Sequence, residues 1–190
     1  MARMVGMGVF YRAARQSCSV DAIILFQFSG KRPHRTIPNN ASRSQTVKYC
    51  MNTLILDAGT QDKLTEWLKS DSYVVACLCA AWCDTCTAYK SKFDELAVLH
   101  PNQRFAWIDI EDQAAVVGEL DISNFPTLLI QQHDVVCFFG TVQPDLRQAD
   151  RLLRAQMEKS RAELEAEAFS SIERKSWQQD CNLRVRLESA

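Results

Sequence analysis

Two cysteines separated by two residues, Cys83 and Cys86, lie where an apolar strand is expected to give way to a helix. The first turn of a helix has unpaired backbone N–H groups and the positive end of the helix dipole, and both stabilise a thiolate. Because the thiolate is the nucleophile in disulfide exchange, we expect Cys83 to attack. Cys86 follows one helical turn later on nearly the same face, close enough to form a disulfide with Cys83. We expect Cys86 to be more buried and to resolve the mixed disulfide.

Four of the eight cysteines crowd into ten residues: Cys77, Cys79, Cys83 and Cys86. Since no convincing export signal precedes them, they indicate redox or metal chemistry more than structural bridges. Cys77 and Cys79 alternate along the expected strand and face the same side of the sheet, which favours burial as small hydrophobic side chains. The sharper alternative is that one of them forms a second disulfide or regulates the site. Of the others, Cys137 is expected in the core, and no role is assigned to Cys18, Cys50 and Cys181.

The same four cysteines could be drawn as ligands of a zinc ion. The first two would be held inside a strand and the last two at the start of a helix, so no loop is free to complete a tetrahedron. The histidines are too scattered to form a metal or catalytic cluster: His34, His100 and His133. The spacing therefore argues against a metal site.

Two motifs 40 residues apart, from Cys86 to Pro126, give the chain a resemblance to a known family. Together with the apolar strand before it, the segment Trp82–Cys86 and the turn Asn124–Leu128 resemble the thioredoxin family over roughly residues 51–158. The resemblance implies that Pro126 follows a cis peptide bond and packs beside the two sulfurs. It also implies that the backbone of Phe125 pairs with substrate peptide.

This resemblance implies a thiol–disulfide oxidoreductase that reduces protein disulfides, with Cys83 as nucleophile and Cys86 as resolving cysteine. Three residues are expected to contact substrate: Trp82, Phe125 and Pro126. No organic cofactor is needed because the electrons travel as a dithiol, and the expected partners are disulfide-containing proteins and a reductase that recycles the dithiol. The alternative is a non-catalytic module that binds a protein partner through the Phe125–Pro126 edge.

Departures from the family pattern favour a slower or narrower enzyme than a general thioredoxin. Asp84 and Thr85 replace Gly-Pro between the cysteines, and the carboxylate opposes the stabilisation of a neighbouring thiolate. Cys77 stands where the family has a buried acid that assists the resolving cysteine, and Trp107 stands near the position of the lysine that partners this acid. Cys79 replaces an aromatic residue. Loss of the buried acid is the feature that supports the binding-module alternative.

Strand-like apolar runs alternate with helical spacing in the middle of the chain. This order, followed by a hairpin and a helix, predicts an α/β thioredoxin-like fold in which a mixed central sheet has helices on both faces. The predicted strands cover residues 53–56, 73–78, 105–110, 127–130 and 135–139. The predicted helices cover residues 61–68, 83–99 and 114–120, with a last helix that carries Leu146, Leu152, Leu153 and Met157.

Composition divides the chain into three parts. Residues 1–50 carry eight Lys or Arg and one acid, and we expect a flexible leader. It is either a targeting peptide of the mitochondrial kind or an extension before a true start at Met51, and we favour the second because a compact domain can begin there. Residues 51–158 are the predicted thioredoxin-like domain, and residues 159–190 a charged helical tail whose mixed charges mark a solvated face.

Overall composition excludes several function classes. The 190 residues are 47% hydrophobic, which suits one globular domain with appendages. A formal net charge of -1 provides no general attraction to nucleic acid or to an anionic membrane. No apolar run approaches the ~20 residues that a bilayer-spanning helix needs. We therefore predict a cytoplasmic protein without nucleic-acid or membrane partners.

Overall fold

The computed structural model describes residues 53–118, 120 and 122–190, so the predicted leader and Met51 lie outside the described residues. Within the described residues the chain forms five strands and seven helices. The strands are β1 (Thr53–Ile55), β2 (Val74–Cys79), β3 (Arg104–Asp109), β4 (Thr127–Gln132) and β5 (Val135–Thr141). The helices are α1 (Gln61–Leu68), α2 (Asp84–Leu99), α3 (Ala114–Val117), α4 (Leu146–Met157), α5 (Arg161–Ala168), α6 (Ile172–Asp180) and α7 (Leu183–Ser189).

The strands form one mixed sheet in the order β1-β3-β2-β4-β5. β3 pairs in parallel with β1 and β2, whereas β4 pairs antiparallel with β2 and β5. β2 lies at the centre and all six of its residues are buried, as its continuous apolar run predicted. The predicted α/β class is confirmed, although α3 ends at Val117, earlier than expected.

The side chains of β2 alternate between two hydrophobic cores, one on each face of the sheet. Val75, Cys77 and Cys79 join the core that also contains Cys86, whereas Ala76 and Leu78 join the opposite core. Because neighbouring strand residues point to opposite faces, Cys77 and Cys79 share a face. The sheet therefore presents both thiol positions of β2 to α2.

Helix α2 packs against the sheet along one buried stripe: Cys86, Tyr89, Phe93, Leu96 and Ala97. The ring of Phe93 lies edge-on to the rings of Phe105 and Trp107 on β3, with centroids 5.5 and 5.7 Å away. Edge-to-face pairs of this kind add to the free energy gained by burial. These contacts hold the helix, and the cysteine at its start, against the sheet.

The last three helices contribute to both cores. Leu164 and Ala168 of α5 are buried on the α2 side of the sheet, whereas Cys181 and Leu183 are buried on the other side. The C-terminal segment thus packs its apolar residues on the sheet and leaves many of its charged residues exposed. In the part of the chain that is described, no helix has the length and apolar character needed to cross a bilayer.

Candidate functional site

A disulfide bond joins Cys79, at the end of β2, to Cys86 in the first turn of α2. Their Cα atoms are 6.0 Å apart, a separation within the usual range for a disulfide. Cys83 is a free, half-buried thiol. The bond in the structure therefore differs from the expected one, in which Cys86 bonds to Cys83. The reason is tertiary, because the chain turns back on itself between β2 and α2 and brings the end of the strand beside the helix.

Cys83 is the N-cap residue of α2, as its place at the strand–helix junction predicted. Its backbone N–H donates to the carbonyl oxygen of Ala80 at 3.0 Å, and its own carbonyl oxygen accepts from the N–H of Thr87 at 3.0 Å. Its side chain makes no capping hydrogen bond. The sulfur thus belongs to the residue that opens the helix, where the dipole favours negative charge. Asp84, the first helical residue, places a carboxylate next to it.

Cys77 is fully buried, and its Sγ lies 3.6 Å from Sγ of Cys79. Burial raises the pKa of the Cys77 thiol far above its ordinary value, although the nearby ammonium of Lys90 partly opposes the rise. Cys77 therefore remains a neutral thiol at physiological pH. The thioredoxin family, which the sequence resembles, has a buried acid at this position. The Cys77 thiol that replaces it can donate a weak hydrogen bond but holds no negative charge.

Lys90 is a residue of the site that the sequence analysis missed. Its Nζ lies 5.2 Å from the ring centroid of Trp107 and 2.6 Å from a carboxylate oxygen of Asp94. Lys90, Trp107 and Cys86 line one cavity of about 430 Å³, which places a cation near the disulfide. The sequence spacing could have identified Lys90, because it follows Cys86 by four residues and residues four apart on a helix share a face.

The turn before β4 lies next to the cysteine segment. The Phe125–Pro126 peptide bond is cis, which confirms the expectation for this turn. The indole of Trp82 is 64% exposed and lies edge-on to the ring of Phe125, with centroids 5.6 Å apart. Its Nε1–H donates to Oε1 of Glu111 at 2.9 Å, a contact that no sequence pattern indicated. Both Cys83 and Phe125 pack, partly buried, against the core that contains Cys77, Cys79 and Cys86.

The four clustered cysteines are not arranged as metal ligands. Two of the thiols that a zinc site would need are joined to each other in the Cys79–Cys86 disulfide. Across the described residues, no group of three or more His, Cys, Asp or Glu side chains is placed to hold a metal ion. The site combines one accessible thiol, that of Cys83, with a buried disulfide and a buried thiol. These groups are the ones that disulfide exchange requires.

Comparison with known proteins shows which family the chain is similar to. The thioredoxin family model matches residues 57–149. A curated relative, thioredoxin-like protein CXXS1 of Oryza sativa subsp. japonica, is 37% identical over 73 residues, which are 38% of this chain and 55% of the relative. The chain thus spans about half the length of that relative.

Solved structures agree with the fold. Wild-type thioredoxin h PtTrxh4 from poplar superposes with a TM-score of 0.51 and 20% identity, covering 57% of this chain and 99% of that chain. A chain of the ferredoxin:thioredoxin reductase and thioredoxin f2 complex superposes with a TM-score of 0.50 and 20% identity, with the same two coverages of 57% and 99%. At these identities the likeness shows the fold alone.

Proposed function

We propose that this chain, whose residues 57–149 match the thioredoxin family model, is a thiol–disulfide oxidoreductase that reduces protein disulfides. The observation that carries the proposal is the position of Cys83, a half-buried free thiol at the N-cap of α2. Cys86 lies one turn further along the same helix. An accessible thiol at a helix start with a second cysteine behind it has the geometry of a nucleophile and a resolving group.

The proposed reaction starts from the reduced protein. The Cys83 thiolate attacks one sulfur of a substrate disulfide, which forms a mixed disulfide and releases the other substrate sulfur as a thiolate. The Cys86 thiolate then attacks Sγ of Cys83, which releases the second substrate thiolate and leaves a Cys83–Cys86 disulfide. Two electrons pass from the protein to the substrate. A reductase of the dithiol-recycling kind would return them, and the predicted cytoplasmic location would favour reduction as the direction.

Substrate is proposed to bind across Trp82, Phe125 and the turn at Pro126, a residue that is itself buried. The exposed indole of Trp82, next to Cys83 in the chain, and the partly buried ring of Phe125 lie edge-on with centroids 5.6 Å apart. Aromatic side chains that remain exposed beside a reactive group offer apolar contact area to a partner at low entropic cost. A substrate peptide lying along Phe125 would bring its disulfide to the thiol.

A non-catalytic binding module is the second candidate. It is favoured by the bond between Cys79 and Cys86, which leaves Cys83 without a reduced resolving partner in this state. The replacement of a buried acid by the neutral thiol of Cys77 also favours the binding module. In such a protein the Phe125–Pro126 edge would hold a partner without exchange.

Serine substitutions distinguish the two functions. In the reduced protein, Cys83→Ser is expected to lower the rate of substrate disulfide reduction by about a hundredfold or more, because the nucleophile is lost. Cys86→Ser should instead accumulate mixed disulfides at Cys83, visible on non-reducing gels and by mass spectrometry. The matched control is Cys137→Ala, which removes a buried thiol of β5 outside the site. Full turnover by Cys83→Ser would contradict the assigned nucleophile, whereas an inactive wild-type protein that retains a partner would support the binding module.

A further inference from the structure

Cys86 is within bonding distance of two different cysteines. Its Cα is 6.0 Å from that of Cys79, to which it is bonded. Cys83 precedes it by three residues at the N-cap of the same helix, a spacing that in helical geometry places Cα atoms about 5 Å apart. Both separations fall within the range that a disulfide can bridge. One sulfur can therefore exchange partners through a rotation of its own side chain.

The two possible bonds differ in how far solvent reaches them. Cys79 and Cys86 are 1% and 2% exposed, so an external thiol has no open approach to the bond between them. Cys83 is half-buried and can be reached from outside. Within this cluster, Cys83 is the thiol that lies on the same helical turn as Cys86 and also meets solvent. Any exchange between the buried bond and the outside would pass through it.

We propose that Cys79 is a third redox-active cysteine, which takes Cys86 from the Cys83–Cys86 disulfide and thereby returns Cys83 to the free thiol state. This inference rests on the proposed function, because that reaction produces the Cys83–Cys86 disulfide. The bond that the structure contains is then the end of the cycle, and the Cys83–Cys86 bond is its transient precursor.

The exchange step balances without an added reagent. The thiol of Cys79 loses its proton, and its sulfur attacks Sγ of Cys86. The Cys79–Cys86 bond forms, the Cys83–Cys86 bond breaks, and Cys83 leaves as a thiolate that takes up one proton. No electrons enter or leave the protein in this step. The oxidant for the whole cycle is the substrate disulfide, and the reductant that reverses it is a dithiol reductase acting on Cys83–Cys86 after the reverse exchange.

The surroundings of Cys79 support its part in the exchange. Cys77, which stays a thiol, lies 3.6 Å away on the same strand and can donate a weak hydrogen bond to the attacking sulfur. The ammonium of Lys90, which is paired with Asp94, lines the same cavity as Cys86, and so does Asp109. Negative charge on a sulfur is favoured near a cation and a hydrogen-bond donor.

One functional consequence is that the oxidised protein keeps a nucleophile. After the exchange Cys83 can attack a further disulfide, while Cys86 is held by Cys79 and cannot resolve the product. The protein would then hold that partner in a lasting mixed disulfide. The state of the Cys79–Cys86 bond would decide whether a substrate is reduced and released or retained.

The test follows the disulfide after a single turnover of the full chain. Reduced protein is mixed with insulin as the disulfide substrate, quenched at intervals, alkylated while folded, and mapped by mass spectrometry. In the wild-type protein we expect a Cys83–Cys86 bond first and a Cys79–Cys86 bond later, with Cys83 alkylated in the final state. In Cys79→Ala the Cys83–Cys86 bond should persist, and alkylation of Cys83 should fall by about tenfold or more because a bonded sulfur is not a nucleophile.

Cys137→Ala is the matched control, since it removes a buried thiol from the same hydrophobic core but from β5, outside the exchanging cluster, and should leave the wild-type order of bonds unchanged. The proposal is overturned if the wild-type protein ends with Cys83 bonded to Cys86 and therefore not alkylated. The disulfide map of the wild-type protein decides this alone, so the outcome does not depend on whether a variant folds. Insulin thiols are counted separately: if none appear with either protein, the proposed function fails, and this inference fails with it.

Discussion

At the scale of single residues, the cysteines of the described chain differ sharply in their environments. Cys83 meets solvent at a helix start, whereas three others are free but buried: Cys77, Cys137 and Cys181. Burial raises the pKa of Cys137 to about 11 and that of Cys181 to about 12, and it raises the pKa of Cys77 further. Because a thiolate in an apolar interior loses its hydration, these sulfurs stay protonated and inert.

Selective alkylation is the prediction at this scale. With a pKa of about 11, Cys137 holds roughly one thiolate in ten thousand at pH 7. N-ethylmaleimide added to the folded protein should therefore label Cys83 well before Cys77, Cys137 or Cys181, as read by peptide mass mapping. In denaturant the four should react at similar rates. Rapid labelling of Cys77 in the folded protein would show that its environment is open to solvent and would contradict this account.

At the scale of elements, α2 is held at both ends. Its first turn is bonded to β2 by the disulfide, and its C-cap residue, His100, contacts Asp150 of α4 with Nε2 and Oδ1 2.7 Å apart. Asp150 also accepts from Nε of Arg154 at 2.9 Å. The desolvation of Asp150 would raise its pKa, but the hydrogen bonds from Arg154 and His100 lower the pKa below its ordinary value. The ionised carboxylate is therefore favoured in the folded state.

This leads to a pH-dependent prediction for Asp150→Asn. A carboxylate with a lowered folded-state pKa stabilises the protein above its ordinary pKa, and the contribution is lost as the pH falls through the folded value. At pH 7 the substitution should lower the free energy of unfolding by about 1 kcal/mol, a value reduced by partial exposure. By pH 3 the difference from wild type should shrink, as measured by urea unfolding at both pH values. Asp112→Asn, at an exposed position, is the control. If the difference in unfolding free energy between Asp150→Asn and wild type grew on acidification, the predicted pH dependence would be contradicted.

At the scale of the whole molecule, the C-terminal helices close the β5 edge of the sheet. The side-chain amide of Gln178 accepts from the N–H of Val136 at 2.8 Å and donates to its carbonyl oxygen at 2.9 Å, in place of a neighbouring strand. Gln131 of β4 is fully buried and donates to Oδ1 of Asn182 at 2.8 Å, and its own Oε1 accepts from the N–H of Leu183 at 2.9 Å. An unpaired edge strand is a site of aggregation, so this segment protects the sheet.

Asn182→Ala should therefore destabilise the whole molecule. The change removes an acceptor from a buried amide and the side-chain cap of α7, and we expect a loss of about 2 kcal/mol in the free energy of unfolding. Gln179→Ala truncates an exposed amide on the adjacent helix and should change this value by less than about 0.5 kcal/mol. Chemical denaturation measures both. Equal effects of the two substitutions would mean that the Gln131–Asn182 contact does not hold the segment in place.

The sequence by itself determined the features that depend on near neighbours in the chain. The apolar run from residue 73 to 78 predicted the buried central strand, and helical spacing placed the start of a helix at Cys83. The thioredoxin resemblance of the turn at Phe125–Pro126 identified the cis peptide bond. These predictions hold because backbone preference and the periodicity of burial are local properties.

Tertiary structure alone decided which groups meet. Cys86 is bonded to Cys79 because the end of β2 lies beside the first turn of α2, and the i,i+3 spacing of Cys83 and Cys86 contains no information on that approach. Lys90 reaches the ring of Trp107 only after α2 is laid across β3. Leu164 and Leu183 are buried because the sheet left apolar surface where the last helices could dock. Side chains far apart in the chain become neighbours through packing, and local pattern does not specify which face will cover which.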